Sequence, residues 1–211
     1  MKRATWLGIA AAVLLAGGGG MTLALADGQD EKPPAAAATP STDSADAGFA
    51  RDMAVHHQQA VEMSFIVRDR TEDEDIRRLA YDIANTQANQ RGMLLGWLNL
   101  WGLPIADGKA PMGWMEMPAS PAPGHDGALM PGMATKSELA RLGRLSGKEA
   151  EIFYLQLMTD HHKGGVHMAQ GCVDRCTVGV EKRLAQGMVD AQESEIDLMA
   201  DLLKERGAKA R

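Results

Sequence analysis

An internal repeat spans most of this 211-residue chain and restricts the folds it can adopt. When residues 49–102 are aligned without a gap with residues 154–207, 13 of the 54 positions are identical. Unrelated segments of this composition would match at about four. Each copy has the apolar periodicity of two helices, and a lone helical hairpin cannot bury its apolar face. The repeat therefore predicts one all-α domain, a four-helix bundle built from hairpins at about 45–102 and 146–207, rather than two small domains.

The N-terminal segment has the pattern of an export signal. Lys2 and Arg3 precede an apolar run at residues 6–16, and Ala24-Leu25-Ala26 is a cleavage site of small residues. If residues 1–26 are not cleaved they are also long enough to anchor the chain in a membrane, although four consecutive glycines weaken a spanning helix. Residues 27–44 have the composition of a disordered linker. We therefore expect residues 45–209 to be exported, either secreted or anchored on the outer face of the cytoplasmic membrane.

The net charge restricts the partners of the exported part. Without residues 1–26, 20 Lys and Arg remain against 28 Asp and Glu. An acidic surface repels nucleic acid and attracts cations, so we expect a metal ion as partner, no nucleic acid, and membrane contact only through an uncleaved N-terminal segment.

Several short motifs predict helix ends. "TEDE" at 71–74 predicts a capping box at the start of the second helix, "TKSE" at 135–138 a cap for a short helix at about 138–145, and "SGKE" at 146–149 a cap for the third long helix. The fourth long helix is expected at about 178–205. Residues 104–134, rich in Pro, Gly and Met, predict a long crossover between the hairpins.

Each copy of the repeat carries two adjacent histidines between two methionines. At about 100° per residue, these four side chains share an arc of about 120° on their helix, with Ala60 or Gly165 at its centre. A small residue there allows another backbone or an ion to come close. The predicted metal ligands are Met53, His56, His57 and Met63 in the first half and Met158, His161, His162 and Met168 in the second.

The alternative interpretation is that these histidines are core residues satisfied by hydrogen bonds. Burying four imidazoles is unfavourable unless something binds them, which favours a metal. Imidazole suits several transition metals, whereas thioether sulfur selects Cu(I), so the mixed set indicates copper, preferably as Cu(I) and also as Cu(II). No Glu-x-x-His motif occurs in the chain, which argues against a di-iron site.

Three further residues lie near the predicted ligands. His167 falls off the arc and is interpreted as a peripheral residue that could add a ligand. Gln87 and Gln192 occupy matching positions in the partner helices, where they could hold an imidazole N–H or form an interhelical hydrogen bond.

The two cysteines, Cys172 and Cys176, continue the same stripe toward the end of the third long helix. In an exported protein such a pair usually forms a disulfide, but residues four apart on a regular helix are poorly placed for one, so a bridge would require an unwound helix end. The alternative is a thiolate contribution to a Cu(I) site.

The crossover carries His125 and five methionines, Met112, Met115, Met117, Met130 and Met133. Two interpretations stay open: a solvated collector of Cu(I) with lower affinity, or a lid that packs over the bundle.

These motifs together resemble a known family. The Met, His-His, Met pattern in each half, "LMPGM" before a capped short helix, "YLQLMTDHHKGGVHMA" and "LAQGMVDAQESEIDLM" resemble the exported bacterial family called domain of unknown function 305, over about residues 43–207. The resemblance implies a ferritin-like four-helix bundle and a link to copper binding and copper resistance outside the cytoplasm. It carries the eight His and Met ligands over by motif, but the cysteine pair is a departure from it.

The functional prediction is an extracytoplasmic protein that sequesters copper, with any protein that receives the copper unknown. Two other classes remain open: a metal-dependent oxidoreductase on the same site, and a metal-free helical module that binds envelope partners.

Overall fold

The computed structural model describes residues 39–116 and 126–211, and in these ranges the chain is helical without strands. The predicted signal segment, most of the linker, Met117 and His125 lie outside them. No helix in the described ranges is long and apolar enough to cross a membrane. The helices are α1 (Ala45–Arg68), α2 (Glu74–Leu100), α3 (Lys136–Leu142), α4 (Gly147–Arg175) and α5 (Gly179–Glu205), with a 3-10 turn at Gly113–Met115.

The four long helices form the predicted four-helix bundle, because each hairpin buries its apolar side against the other. α1 packs on α2, α4 packs on α5, and the hairpins meet through α1 and α4. One core cluster takes residues 45–54 of α1 and 166–176 of α4, and the other takes residues 60–67 of α1 and 152–158 of α4. The start of α1 thus lies with the end of α4, so the two central helices run antiparallel and only the positions near their middles face their own equivalents.

Two of the three predicted helix caps need correction. Thr135 and Glu138 form the expected capping box, although α3 ends at Leu142, three residues early. At α2 the capping residue is Asp73, whose carboxylate accepts from the N–H groups of Asp75 and Ile76. Thr71 instead donates its hydroxyl to Glu151 at 2.6 Å, a tertiary partner that no local pattern reveals. Ser146 occupies the N-cap of α4, but its side chain makes no capping bond.

The crossover is fixed to α1 on both sides of its undescribed portion. Asp52 accepts from the backbone N–H of Met112 at 2.7 Å and from the indole N–H of Trp114 at 2.9 Å. The Gln59 side chain makes two hydrogen bonds to the backbone of Ala134: it donates to the carbonyl and accepts from the N–H. The described parts of the crossover are therefore packed over the bundle.

Two glycines allow the crossover backbone to touch α4 directly. A Cβ atom at Gly164 would lie 2.0 Å from the carbonyl oxygen of Pro131. A Cβ at Gly132, where φ is +79°, would lie 2.2 Å from the carbonyl oxygen of Asp160. Because both obstacles are backbone atoms, neither can be relieved by rotating a side chain.

We therefore expect Gly164→Ala to destabilise the protein by about 1–3 kcal/mol, since the crossover must move away from α4. Gly187→Ala is the matched control, because Gly187 is an exposed α5 residue with nothing within 4 Å of an added Cβ. The control should be neutral or stabilising by about 0.5–1 kcal/mol. Urea denaturation of both variants measures the difference, and an equal effect would contradict the direct contact.

Candidate metal centre

The four predicted histidines form one layer across the middle of the bundle. His56 and His57 lie between the residues that α1 contributes to the two core clusters, and His161 and His162 lie between those that α4 contributes. All four side chains are completely buried. The bundle thus has two apolar halves separated by a layer of imidazoles, which is where antiparallel helices must place matching positions of the repeat.

The rings approach each other across the contact between α1 and α4. The ring centroids of His56 and His161 are 3.8 Å apart, with planes tilted by 31°. Those of His161 and His162 are 6.3 Å apart. His57 is close enough to His56 and His162 for their charges to affect its pKa. The structure therefore brings all four histidines together.

Three of the rings are oriented by a bond at Nε2. His56 faces the carbonyl of Pro131 at 3.3 Å, His161 faces the carbonyl of His56 at 3.0 Å, and His162 faces the carboxylate of Glu195 at 2.6 Å. These oxygens only accept hydrogen bonds, so each Nε2 carries the ring hydrogen and each Nδ1 keeps its lone pair. His57 has no partner on either nitrogen, and the Nδ1 atoms of all four histidines are buried without a partner.

Burial holds the imidazoles of His56, His57 and His161 in their neutral form. It lowers the pKa of His56 to about 4, against a raising effect of the Pro131 carbonyl. It lowers the pKa of His57 to about 3, with additional repulsion from His56 and His162. Burial and the neighbouring imidazoles also lower the pKa of His161 well below its usual value. Neutral imidazole is the form that coordinates metals.

Glu195 is a candidate site residue that sequence reasoning missed. Its carboxylate bonds to His162, the arrangement in which a second-layer carboxylate orients a metal-binding imidazole. The equivalent position in the first half is Gln90, whose side chain approaches His57 and slightly opposes the lowering of its pKa by burial. The signal was available, because Gln90 and Glu195 each lie three residues after a matched glutamine, on the same helix face.

The four predicted methionine ligands are completely buried and lie in pairs beside the histidine layer. Met53 and Met168 belong to one core cluster, and Met63 and Met158 belong to the other. No three ring nitrogens of the histidines lie within 4.8 Å of one another among the described residues. Coordination by fewer than three imidazoles, completed by thioethers, therefore fits this spacing better than a site made of imidazoles alone.

Gln87 lies close enough to His57 to oppose the lowering of its pKa, as the matching glutamines led us to expect, whereas the small residue on α4 behaves differently from the expectation. Gln87 and Gln192 are buried, but neither oxygen atom accepts a hydrogen bond, and the amide nitrogen of Gln87 has no partner either. A Cβ at Gly165 would lie 2.3 Å from Oε1 of Gln192. The space at Gly165 is therefore filled by the Gln192 side chain rather than left for an ion or a backbone.

The described methionines of the crossover follow the packed-lid interpretation. Met112, Met115 and Met130 are buried in the core cluster at the start of α1, and Met133 is partly buried against it. His167 is exposed on a surface cleft beside Met115, away from the histidine layer.

Cys172 and Cys176 form a disulfide, with Cα atoms 4.8 Å apart. α4 ends at Arg175, and Cys176 has an extended backbone, so the helix end is unwound as such a bridge requires. The thiolate interpretation is wrong for this oxidised form. Beside the disulfide lies Glu181, another residue that the sequence did not single out, whose pKa is raised to about 9 by burial and by the Asp46 carboxylate.

The fold and its central layer define a helical-bundle protein with a buried cluster of histidines. The profile of DUF305, a domain of unknown function, matches residues 46–203, and the chain belongs to this family. No curated protein sequence matches the chain.

Solved structures agree with this assignment. A candidate secreted DUF305 protein from Streptomyces coelicolor is 69% identical, with a TM-score of 0.75, over 81% of this chain and 99% of that one. A DUF305 fragment from Deinococcus radiodurans is 29% identical, with a TM-score of 0.63, over 76% and 96%. CopM in its Cu(I)-bound form is 20% identical, with a TM-score of 0.56, over the same shares, and it shares the fold.

The unpartnered nitrogens of His57 should make that residue unfavourable for folding without metal. We expect His57→Leu to stabilise the metal-free protein by about 1–3 kcal/mol, because two buried polar atoms without hydrogen bonds are removed. His162→Leu is the matched control, and it should gain less because it also breaks the bond to Glu195. Denaturation in a chelator measures both, and a less stable His57→Leu protein would contradict the unpartnered state.

The lowered pKa values of His56, His57 and His161 predict acid sensitivity. Above the unfolded pKa of about 6.5 these histidines are neutral in both the folded and the unfolded protein, and their contribution to the free energy of unfolding is fully present. It is lost as pH falls toward the folded values, because only the unfolded chain takes up protons in that window. We expect the metal-free protein to lose on the order of 1 kcal/mol per pH unit for each of these histidines. Denaturation between about pH 6.5 and about pH 5 tests this. In His57→Leu the free energy of unfolding should fall less steeply with decreasing pH, because one of the three histidines no longer contributes.

Proposed function

We propose that this protein is an extracytoplasmic copper-binding protein that sequesters copper in the histidine layer. The observation that carries the proposal is the set of four buried Nδ1 atoms without partners, three of them on rings whose Nε2 is already bonded to oxygen. Buried polar atoms are normally hydrogen-bonded, so a layer of unused lone pairs is expected where a ligand binds. A metal ion accepts imidazole lone pairs, and the spacing of these nitrogens fits an ion that takes one or two of them and completes its coordination with thioethers.

The nature of the donors favours copper among the metals that imidazole binds. The methionine pairs beside the layer offer thioether sulfur, which selects Cu(I), while imidazole also binds Cu(II). A related fold supports this choice, since CopM has been crystallised with Cu(I), Cu(II) and silver. The ligands we propose are the eight His and Met residues of the two repeats, with Glu195 orienting His162.

The location that we propose is outside the cytoplasm. Residues 1–26 have the pattern of an export signal, and the similar Streptomyces coelicolor protein is a candidate secreted protein. Copper sequestered there would be held at the cell envelope, outside the cytoplasm.

Copper binding by purified protein tests this function. We expect Cu(I) to raise the melting midpoint of the wild type, because a ligand that binds only the folded state stabilises it. A His56→Leu, His57→Leu, His161→Leu, His162→Leu variant should bind no copper in a competition titration, since leucine keeps the core apolar while removing every imidazole. His167→Ala is the matched control from the same helix, and its affinity should stay within about twofold of the wild type because His167 is exposed.

Two outcomes would contradict the proposal. One is full copper binding by the quadruple variant when that variant melts cooperatively. The other is a melting midpoint of the wild type that Cu(I), Zn(II) and Ni(II) all leave unchanged, which would favour a metal-free helical module.

Glu195 should contribute to affinity without touching the metal. We expect Glu195→Gln to weaken copper binding by about 10–100-fold, the usual effect of removing a carboxylate that orients a ligating imidazole. Glu193→Gln is the control, since Glu193 lies on the same helix and is exposed. Equal affinities for the two variants in the same titration would show that the bond between Glu195 and His162 has no part in binding.

A further inference from the structure

A second group of potential metal ligands lies at the junction of α4 and α5. One ligand atom from each of Cys172, Cys176 and Glu181 lies within 4.8 Å of the others, and all three residues are buried. The described residues contain no other such group of three His, Cys, Asp or Glu side chains. In the histidine layer, His162 lies ten residues before Cys172 on the same helix, or about 15 Å along its axis, so the two places are separate.

Glu181 is buried without a cation or a hydrogen-bond donor for its carboxyl oxygens. Its side chain is completely buried, and no N–H or O–H group donates to either of its oxygens. The Asp46 carboxylate is close enough to raise the pKa of Glu181. It also accepts from the backbone N–H groups of Thr177 and Val178 at 2.8 and 2.7 Å. A buried carboxyl group that faces another carboxylate and has no cation is unfavourable for folding alone.

The first half of the repeat shows that the fold does not require these polar residues. At the offset of 105, the positions of Cys172, Cys176 and Glu181 correspond to Val67, Thr71 and Ile76. Val67 and Ile76 are completely buried apolar residues in the other core cluster. Where the first half has two apolar core residues and Thr71, the second half thus has two sulfur atoms and a carboxylate whose ligand atoms lie within 4.8 Å of one another.

We propose that Cys172, Cys176 and Glu181 form a second metal site, closed by the disulfide and opened by its reduction, which takes a thiophilic divalent ion of the Zn(II) class. Two thiolates and one carboxylate are the mixed sulfur and oxygen donor set that Zn(II) accepts, whereas a carboxylate oxygen is a poor ligand for Cu(I). In the oxidised form both sulfurs are used in the bond between them, so only Glu181 could contribute a ligand.

The redox step needs an external dithiol. Thiol–disulfide exchange transfers two electrons and two protons from the dithiol to the bridge, leaving two cysteine thiols and an oxidised dithiol. Binding of the metal ion then releases the protons of both thiols, and also that of Glu181 where it is protonated, because each ligand coordinates in its deprotonated form. The unwound end of α4 gives the sulfur atoms room to separate, because Cys176 has already left the helix.

This site is independent of the copper proposal, and the experiment separates them. The background is the full exported chain with His56, His57, His161 and His162 changed to leucine, so that the histidine layer binds nothing. Zn(II) binding is measured by equilibrium dialysis for oxidised protein and for protein treated with a phosphine reductant, with thiols counted in parallel. We expect the reduced protein to bind one more Zn(II) per chain than the oxidised protein, and wild type to show the same increment.

Two variants test the ligands. Cys172→Val with Cys176→Thr and Glu181→Ile installs the residues of the first half, so it should fold and lose the increment entirely. Glu181→Gln keeps both thiols and should weaken the reduction-dependent Zn(II) affinity at least tenfold. The proposal is overturned by a disulfide that excess phosphine leaves intact in the native protein, by equal Zn(II) binding before and after reduction, by Glu181→Gln binding as tightly as its parent, or by an increment seen with Cu(I) but not with Zn(II).

Discussion

The burial of four imidazoles in the centre of the bundle is the constraint on which the rest of the structure depends. Each neutral ring needs an acceptor for its one N–H group, and a bundle interior offers few. The structure supplies a helix carbonyl for His161, a crossover carbonyl for His56 and a carboxylate for His162, while His57 has none. The crossover is thus part of the central layer as well as a connection, and the glycine contacts that hold it against α4 serve the same purpose.

The overall architecture could be predicted because the internal repeat shows that the chain contains two similar helical hairpins. Matching positions at one offset indicate two hairpins, and antiparallel packing of the central helices then brings the His pairs face to face. The partners of those histidines could not be predicted in the same way, because they come from other segments. Pro131 lies 75 residues from His56, and Glu195 lies 33 residues from His162. The periodicity of a single helix predicts which side chains share a face, but it does not predict which residues of other segments they contact.

Local sequence motifs gave a wrong prediction where a tertiary contact uses the same side chain. Thr71 has the right spacing for a capping box, yet its hydroxyl bonds to Glu151, which also accepts from Arg206 at 2.8 Å. The N-cap of α2 is instead Asp73, two residues later, whose carboxylate accepts from backbone N–H groups of the first turn. For the methionines of the crossover the sequence left a solvated and a packed arrangement open, and the packed one is observed because a glycine on a helix admits such a side chain. Gly171 on α4, for example, leaves the space that the end of Met115 occupies.

The position of the histidine layer also determines the electrostatic balance that an ion would meet there. His161 lies fourteen residues from either end of α4, and the field of a helix dipole is confined to about its first and last turns, so helix ends contribute little to the layer. Among the described residues, the negative charge bonded to the four imidazoles is the carboxylate of Glu195. A monovalent ion in the layer would form a neutral pair with it, whereas a divalent ion would leave one positive charge buried. For the copper site that we propose, this charge balance favours an ion of single valence, independently of the softness of its sulfur ligands.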